Sequence, residues 1–222
     1  MGKVTVMEGT TKEPITLIGK MAGICYGSDV KDPLKNYKRG MGCIESNHGR
    51  TLEFPEVYLE LSGYSARVIR EYYTHIAGGP TRLQASTRYI NYENGFDYIT
   101  PPKIQNNEEA LKVYDEMMKN IQVSLKKLED LGIPKEDSAM GLPLGMTTVI
   151  VDKRGLRSLI EMSHQRLCTR AYWEFRNLMN DIMKALKEYS EEWAWLVDNL
   201  FMPKCEYLGR CPEKTSCGRY SN

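Results

Sequence analysis

The sequence predicts an α+β fold: a central, mostly antiparallel sheet with long helices packed on it. Three observations carry that prediction. Val57, Leu59 and Leu61 alternate with Tyr58 and Glu60, the period of a half-buried strand. Arg82, Gln84, Ser86 and Arg88 alternate with Leu83, Ala85, Thr87 and Tyr89, a second period-two segment. Residues 107–131 instead carry apolar side chains three and four apart, and residues 156–189 run without Pro or Gly, as long helices do. Such a mix of elements fits helices laid on a sheet.

The chain up to about residue 61 reads as strands and loops. Residues 15–24 are moderately apolar but contain Gly19 and Gly23, and residues 31–39 are charged and expected to be exposed. Residues 64–75 read as a helix with Val68, Ile69, Tyr72 and Tyr73 on its apolar side. Glu71 and His75 fall four apart on one face of it. Gly78-Gly79-Pro80 makes a sharp loop before the polar strand, and Pro101-Pro102 ends that unit. Leu111, Tyr114, Met118, Ile121, Leu125 and Leu128 form a narrow stripe that packs inside the subunit or against a neighbour, core packing being the commoner case. Gly132 and Pro134 stop that helix. Leu142-Pro143-Leu144-Gly145 reads as a turn before a strand over 147–151, and residues 193–201 as a short helix ended by Pro203. The reading is one domain over 1–203 and a Cys-containing tail over 204–222.

With 222 residues, 41% of them hydrophobic, the chain can bury one sizeable core. The 30 basic and 29 acidic residues leave a net charge of +1. No global field then favours nucleic acid or an anionic membrane, so an anionic ligand must be met by local arginines. No apolar run approaches a membrane span and the first residues lack a signal-peptide stretch. The expectation is a cytoplasmic protein whose six cysteines are reduced.

Candidate chemistry gathers in a few places. Extended backbone puts Arg82, Gln84, Ser86 and Arg88 on one face. Arg presents a planar fork of donors to phosphate, and Gln offers both donor and acceptor to a nucleobase edge. A solvated strand face would show the same alternation. Arg157, Glu161, His164 and Cys168 share one stripe of the last long helix, with Arg166 and Arg170 on a neighbouring face. So many polar groups on one helix imply a ligand, or else a solvated face with an Arg157–Glu161 ion pair. His48 and Glu53 precede a strand. Cys205, Cys211 and Cys217 are spaced six apart, without the close pairs or evident fourth ligand of a structural zinc site, so no metal is expected. Nucleophile-elbow, Walker and Rossmann fingerprints are absent.

Taken together, these segments resemble the flavin-dependent thymidylate synthases. The resemblance rests on Ile24-Cys25-Tyr26-Gly27, the stretch from His48 to Glu53, and the helix running into Thr74-His75-Ile76. It continues through Gln84-Ala85-Ser86-Thr87-Arg88-Tyr89, Leu142-Pro143-Leu144, Leu156-Arg157-Ser158-Leu159, Arg166 and Ala171-Tyr172-Trp173-Glu174. It implies a homotetramer with FAD and dUMP between subunits. The implied reaction methylates dUMP at C5, with methylenetetrahydrofolate as carbon donor and NADPH as reductant. The resemblance assigns Gln84, Ser86, Arg88 and Arg166 to dUMP, with Arg166 and Ser86 closest to catalysis and Ser86 a binding hydroxyl. It assigns His48, Glu53, His75, Arg157 and Glu161 to FAD. The family's Arg-His-Arg is Thr74-His75-Ile76 here, the following loop is longer by two residues, and Ala139 stands where an Arg is usual before the Leu-Pro turn. Arg82, within the lengthened loop, is expected to restore one positive charge at the dUMP site. A hydroxymethyl product, or a nucleotide-binding homologue without catalysis, are the alternative readings.

Overall fold

The computed structural model describes residues 2–92 and 94–221. β1 (Lys3–Val6) is followed by α1 (Pro14–Cys25) and α2 (Pro33–Glu45). Each helix starts on a proline, whose fixed φ and missing N–H suit the first turn. The Asp32 carboxylate caps α2 by accepting from the Leu34 and Lys35 amides. Strands and loops, expected for this region, are therefore replaced by two helices. Glycine is a poor helix former, yet here it is the contact point. A Cβ on Gly19 would lie 1.8 Å from the Asn36 carbonyl oxygen, and one on Gly40 2.0 Å from that of Ile15. Only hydrogen lets the two backbones meet.

β2 (Glu56–Ser65) buries Val57, Leu59 and Leu61 completely, as the alternation predicts. α3 (Ala66–Tyr72) is shorter than residues 64–75, because Tyr64 and Ser65 complete β2 and the Ser65 hydroxyl caps the helix by accepting from the Val68 amide at 3.1 Å. β3 (Thr81–Gln84) stops before Ser86. There the chain turns, with the Tyr89 and Ile90 amides donating to the Ser86 carbonyl. The shared polar face from Arg82 to Arg88 thus ends at Gln84.

Next come α4 (Pro102–Gln105), α5 (Glu108–Asp130) and α6 (Lys135–Ser138). Pro102 opens α4 instead of merely ending the preceding unit. The Leu-Pro turn leads into β4 (Thr147–Gly155), which outruns the expected 147–151 because it pairs along all of β2, from Ser65↔Thr147 to Glu56↔Gly155. Strand order is β1-β2-β4-β3, every pair antiparallel.

The single helix expected over 156–189 is two, α7 (Leu156–Arg166) and α8 (Trp173–Tyr189). Side chains make the break. Arg176 donates to the carbonyls of Thr169 and Ala171. Glu174 is drawn into the core, where its carboxylate accepts from the Ser65 amide at 2.7 Å and from the Ser65 hydroxyl. α9 (Glu191–Leu200) begins before residue 193, capped by Ser190. Its Glu192 carboxylate accepts from the Ile15 and Thr16 amides at 2.6 and 3.0 Å and so caps α1 from a distance. α10 (Lys204–Leu208) lies in the tail and packs on α7.

The core lies between the sheet and α1, α3, α7, α8 and α9, and includes Ile150, Leu159, Phe175, Ile182 and Trp193. α5 departs from core packing. Met118 and Leu125 are buried, but Leu128 is 37% exposed and Val113, Met117 and Val123 are exposed beside it.

β4 also places charge inside. Asp152 and Arg154 have no exposed side-chain surface. Arg154 donates to Asp152 through Nε and, at 2.9 Å, through Nη2, and the Tyr72 hydroxyl donates to the same carboxylate at 2.8 Å. Removing one member of a buried pair leaves the other charge uncompensated. Asp152→Ala is expected to destabilise the fold by about 3–5 kcal/mol, read as a lower denaturation midpoint at unchanged slope. A midpoint within error of the parent would show that the pair is not structurally important.

Candidate active site

α3 ends at Tyr72, and the chain passes through Thr74-His75-Ile76 into a loop whose Gly78 and Gly79 take φ of 76° and 62°. Those angles favour glycine. The loop brings His75 back against α7 and α8. Arg166, the last residue of α7, donates from Nε to His75 Nε2 at 2.8 Å and from Nη1 to Glu71 Oε2 at 3.4 Å. Its guanidinium lies 4.5 Å from the centroid of the Phe175 ring, and His75 meets that ring edge-on at 5.6 Å. The sequence pairs Glu71 with His75; the structure inserts Arg166 between them.

Burial lowers the His75 imidazole to about 4, helped by the positive charges of Arg166, Arg154 and Arg82. A neutral ring is what the geometry requires, since Nε2 must keep a lone pair to accept from Arg166. Arg82 earns its influence by folding back. Its guanidinium sits 4.5 Å from the centroid of Tyr73 and donates to the Tyr73 carbonyl at 2.9 Å.

Beside His75 two cavities of ≈ 220 and ≈ 370 Å³ adjoin, sharing Ala77, Ser158 and Glu161. His75, Glu53, Arg157 and Glu161 all line one or both of them. Arg157 donates to Glu53 at 2.7 Å and to Glu161 at 3.1 Å, so the expected i,i+4 pair forms and is extended to the turn before β2. Ser158 lines both cavities, and its buried Oγ has no hydrogen-bond partner among the described residues. An orphaned buried hydroxyl costs free energy unless a ligand meets it. The groove therefore fits a polar, hydrogen-bonding cofactor.

The other candidates lie elsewhere. His48 is exposed, precedes the Gly49–Glu53 turn, and is on neither cavity wall. Gln84 is exposed at the end of β3. Ser86 Oγ accepts from the Arg88 amide at 3.3 Å within its turn. The exposed Arg88 pairs with Glu136 on α6 at 3.0 Å. Neither cavity wall beside His75 includes Gln84, Ser86 or Arg88. On the α7 stripe, His164 stacks on Tyr207 of the tail and Cys168 lies beyond the helix end.

The family model for thymidylate synthase complementing protein matches residues 6–190. The chain belongs to this family. The flavin-dependent thymidylate synthase of Nitratidesulfovibrio vulgaris is 26% identical over 235 residues, covering 95% of this chain and 92% of the relative. That of Pyrococcus horikoshii is 31% identical over 179 residues, covering 77% and 71%. Thymidylate synthase X from Helicobacter pylori, solved with FAD and dUMP, shares the fold at a TM-score of 0.65 and 19% identity, over 90% of this chain and 99% of that one.

Within this family frame, sequence reasoning missed Ser158, Phe175 and the Asp152–Arg154 pair. Ser158 stands three and seven residues before Glu161 and Gln165, one helix face, and that spacing is a signal the sequence does contain.

A histidine depressed in the folded state stabilises fully above its ordinary value and loses that contribution as pH falls. Stability is thus expected to decline from about 6.5 toward 4, and an NMR titration of His75 to give a midpoint near 4. Replacing Arg166 by Gln should raise that midpoint. A midpoint near 6.5 in the parent protein would overturn the buried, cation-flanked placement.

Proposed function

We propose that this chain is an FAD-dependent thymidylate synthase that converts dUMP to dTMP. Methylenetetrahydrofolate donates the carbon and NADPH supplies the reducing equivalents. The observation that carries the reading is the groove beside His75. It gathers Glu53, His75, Arg157 and Glu161 around an unpaired buried hydroxyl in a chain whose family match runs over residues 6–190.

FAD, when bound, supplies hydride chemistry that no side chain offers. Arg157 and Ser158 would hold its polar groups, and His75, neutral and fixed by Arg166, would pack against it. Arg166 is the cation best placed for dUMP. Its remaining donors can meet charge that spreads over the uracil ring as C5 becomes nucleophilic, and its fifth-exposed setting strengthens that contact. Arg82, whose charge already bears on His75, supports the role of a replacement for the arginines absent at Thr74 and Ile76. Gln84, Ser86 and Arg88 form a separate polar group on the sheet edge. In a homotetramer with sites between subunits, this group would complete the partner's groove, which agrees with Arg157, Glu53 and Glu161 being about half exposed in the single chain.

Incubation with dUMP, methylenetetrahydrofolate, FAD and NADPH is expected to yield a product heavier by one methylene unit, dependent on FAD. A hydroxymethyl product would replace this reading with the same-fold hydroxymethylase, and unchanged dUMP would remove it. Arg166→Ala is expected to lower kcat/KM by about 10²–10³-fold, the range for losing a donor aimed at developing charge. Arg82→Ala should weaken dUMP or FAD binding; unaltered affinities for both would end its assignment as a replacement.

A further inference from the structure

Four of the six cysteines line one cavity of ≈ 420 Å³: Cys168 after α7, and Cys205, Cys211 and Cys217 in the tail. The even spacing in sequence gives no hint of this, because Cys168 comes from a distant segment. Tail folding gathers them. Tyr207 stacks on His164 with centroids 4.7 Å apart, Arg170 donates to the Thr215 carbonyl at 3.1 Å, and the Cys211 amide donates to the Ser221 carbonyl at 2.8 Å.

The four thiols are not equivalent. All are free; Cys205 and Cys211 are buried, Cys168 is intermediate, and Cys217 is exposed. A hydrogen bond from the Thr169 side chain, then the Arg219 backbone and charge, holds the Cys217 thiol below its usual range. Thr169 directly follows Cys168, so Cys217 reaches the segment that carries Cys168. Arg166 and Arg170 line the same cavity. Among the described residues, no three His, Cys, Asp or Glu side chains are grouped to hold a metal ion. An exposed thiol bonded to the residue after Cys168, on a cavity that both cysteines line, suits a redox-reactive pair.

We propose that this cavity is a redox-modification site in which a hydroperoxide oxidises Cys217 and Cys168 resolves it as a disulfide. The Cys217 thiolate attacks the peroxide O–O bond; sulfur is oxidised to a sulfenic acid and the peroxide is reduced to an alcohol or water. The Cys168 thiol then attacks that sulfur. The S–O bond breaks, the S–S bond forms, and the thiol proton leaves with the hydroxide as water. An external dithiol reverses the reaction by exchange. The new bond pins the tail to the segment two residues past Arg166, whose effect on dUMP rests on the function proposed above; the cross-link itself does not.

The test treats the reduced full-length chain with hydrogen peroxide, caps remaining thiols with N-ethylmaleimide and maps peptides by mass spectrometry. One Cys168–Cys217 disulfide is expected, reversed by dithiothreitol. Cys217 should alkylate severalfold faster than Cys25, the other exposed thiol, at neutral pH. Cys217→Ser should lose the cross-link and Cys25→Ser keep it. A link from Cys217 to Cys205 or Cys211, oxidation without a link, or a tightly held metal on these thiols in the purified protein overturns the proposal. Cross-linked protein is expected to bind dUMP severalfold more weakly than reduced protein. Equal affinities overturn the coupling to Arg166, whereas no dUMP binding by either form defeats the functional reading and leaves the cross-link standing.

Discussion

Everything around His75 depends on two charges that no water reaches. Moving Asp152 and Arg154 out of water costs several kcal/mol per ion, and mutual attraction offsets this only when the remaining donors and acceptors are used. Here they are. Asp152 receives two bonds from Arg154 and one from Tyr72, and the guanidinium also lies 4.4 Å from the Tyr72 ring centroid. Tyr72 is thereby fixed at the end of α3, stacked on Phe175 of α8 at 6.0 Å. Phe175 in turn is the floor under both Arg166 and His75. A sheet strand, two helices and a loop are thus held in register by one ion pair.

The electrostatic result is a cationic rim around a neutral ring. Arg166, Arg154 and Arg82 all disfavour a proton on His75, and Arg154 is already neutralised by its partner. Glu71 offsets Arg166 only in part, at 3.4 Å and with about a third of its side chain exposed. Surplus positive charge of this kind, partly screened from water, suits an anionic ligand more than a cationic one. The rim is positive because Arg166 of α7 and Arg82 of β3 both bear on His75.

Legibility followed the range of the interactions. β2 could be read from Val57, Leu59 and Leu61 because its period reflects one buried face. α5 could be read because its stripe and its flanking Gly132 and Pro134 are local. The α7–α8 break could not, since Glu174 is drawn to Ser65, a partner that no window of sequence contains, and Arg176 meets the carbonyls of residues 169 and 171 only once the chain has turned there. The α1–α2 pair was hidden for the opposite reason: glycines that weaken a helix in isolation permit a backbone contact in the fold. At the site, the structure puts Glu53, His75, Arg157 and Glu161 on the walls of two adjoining cavities and bonds Arg166 to His75, while His48 stays apart. Gln84, Ser86 and Arg88 read as a continuous face only on the assumption of a strand that the turn at Ser86 ends.

The placement of α5 has a dynamic consequence. Its 23 residues pack chiefly on α4, α6 and the 139–141 turn, all of them nearby in sequence, while β2 and β4 pair with each other along their length. Amides of α5 in the isolated chain can therefore exchange with solvent through openings that leave the sheet intact. Those of β2 and β4 must wait for the whole fold to come apart. One polypeptide then carries two clocks, a fast one on the arm and a slow one behind His75.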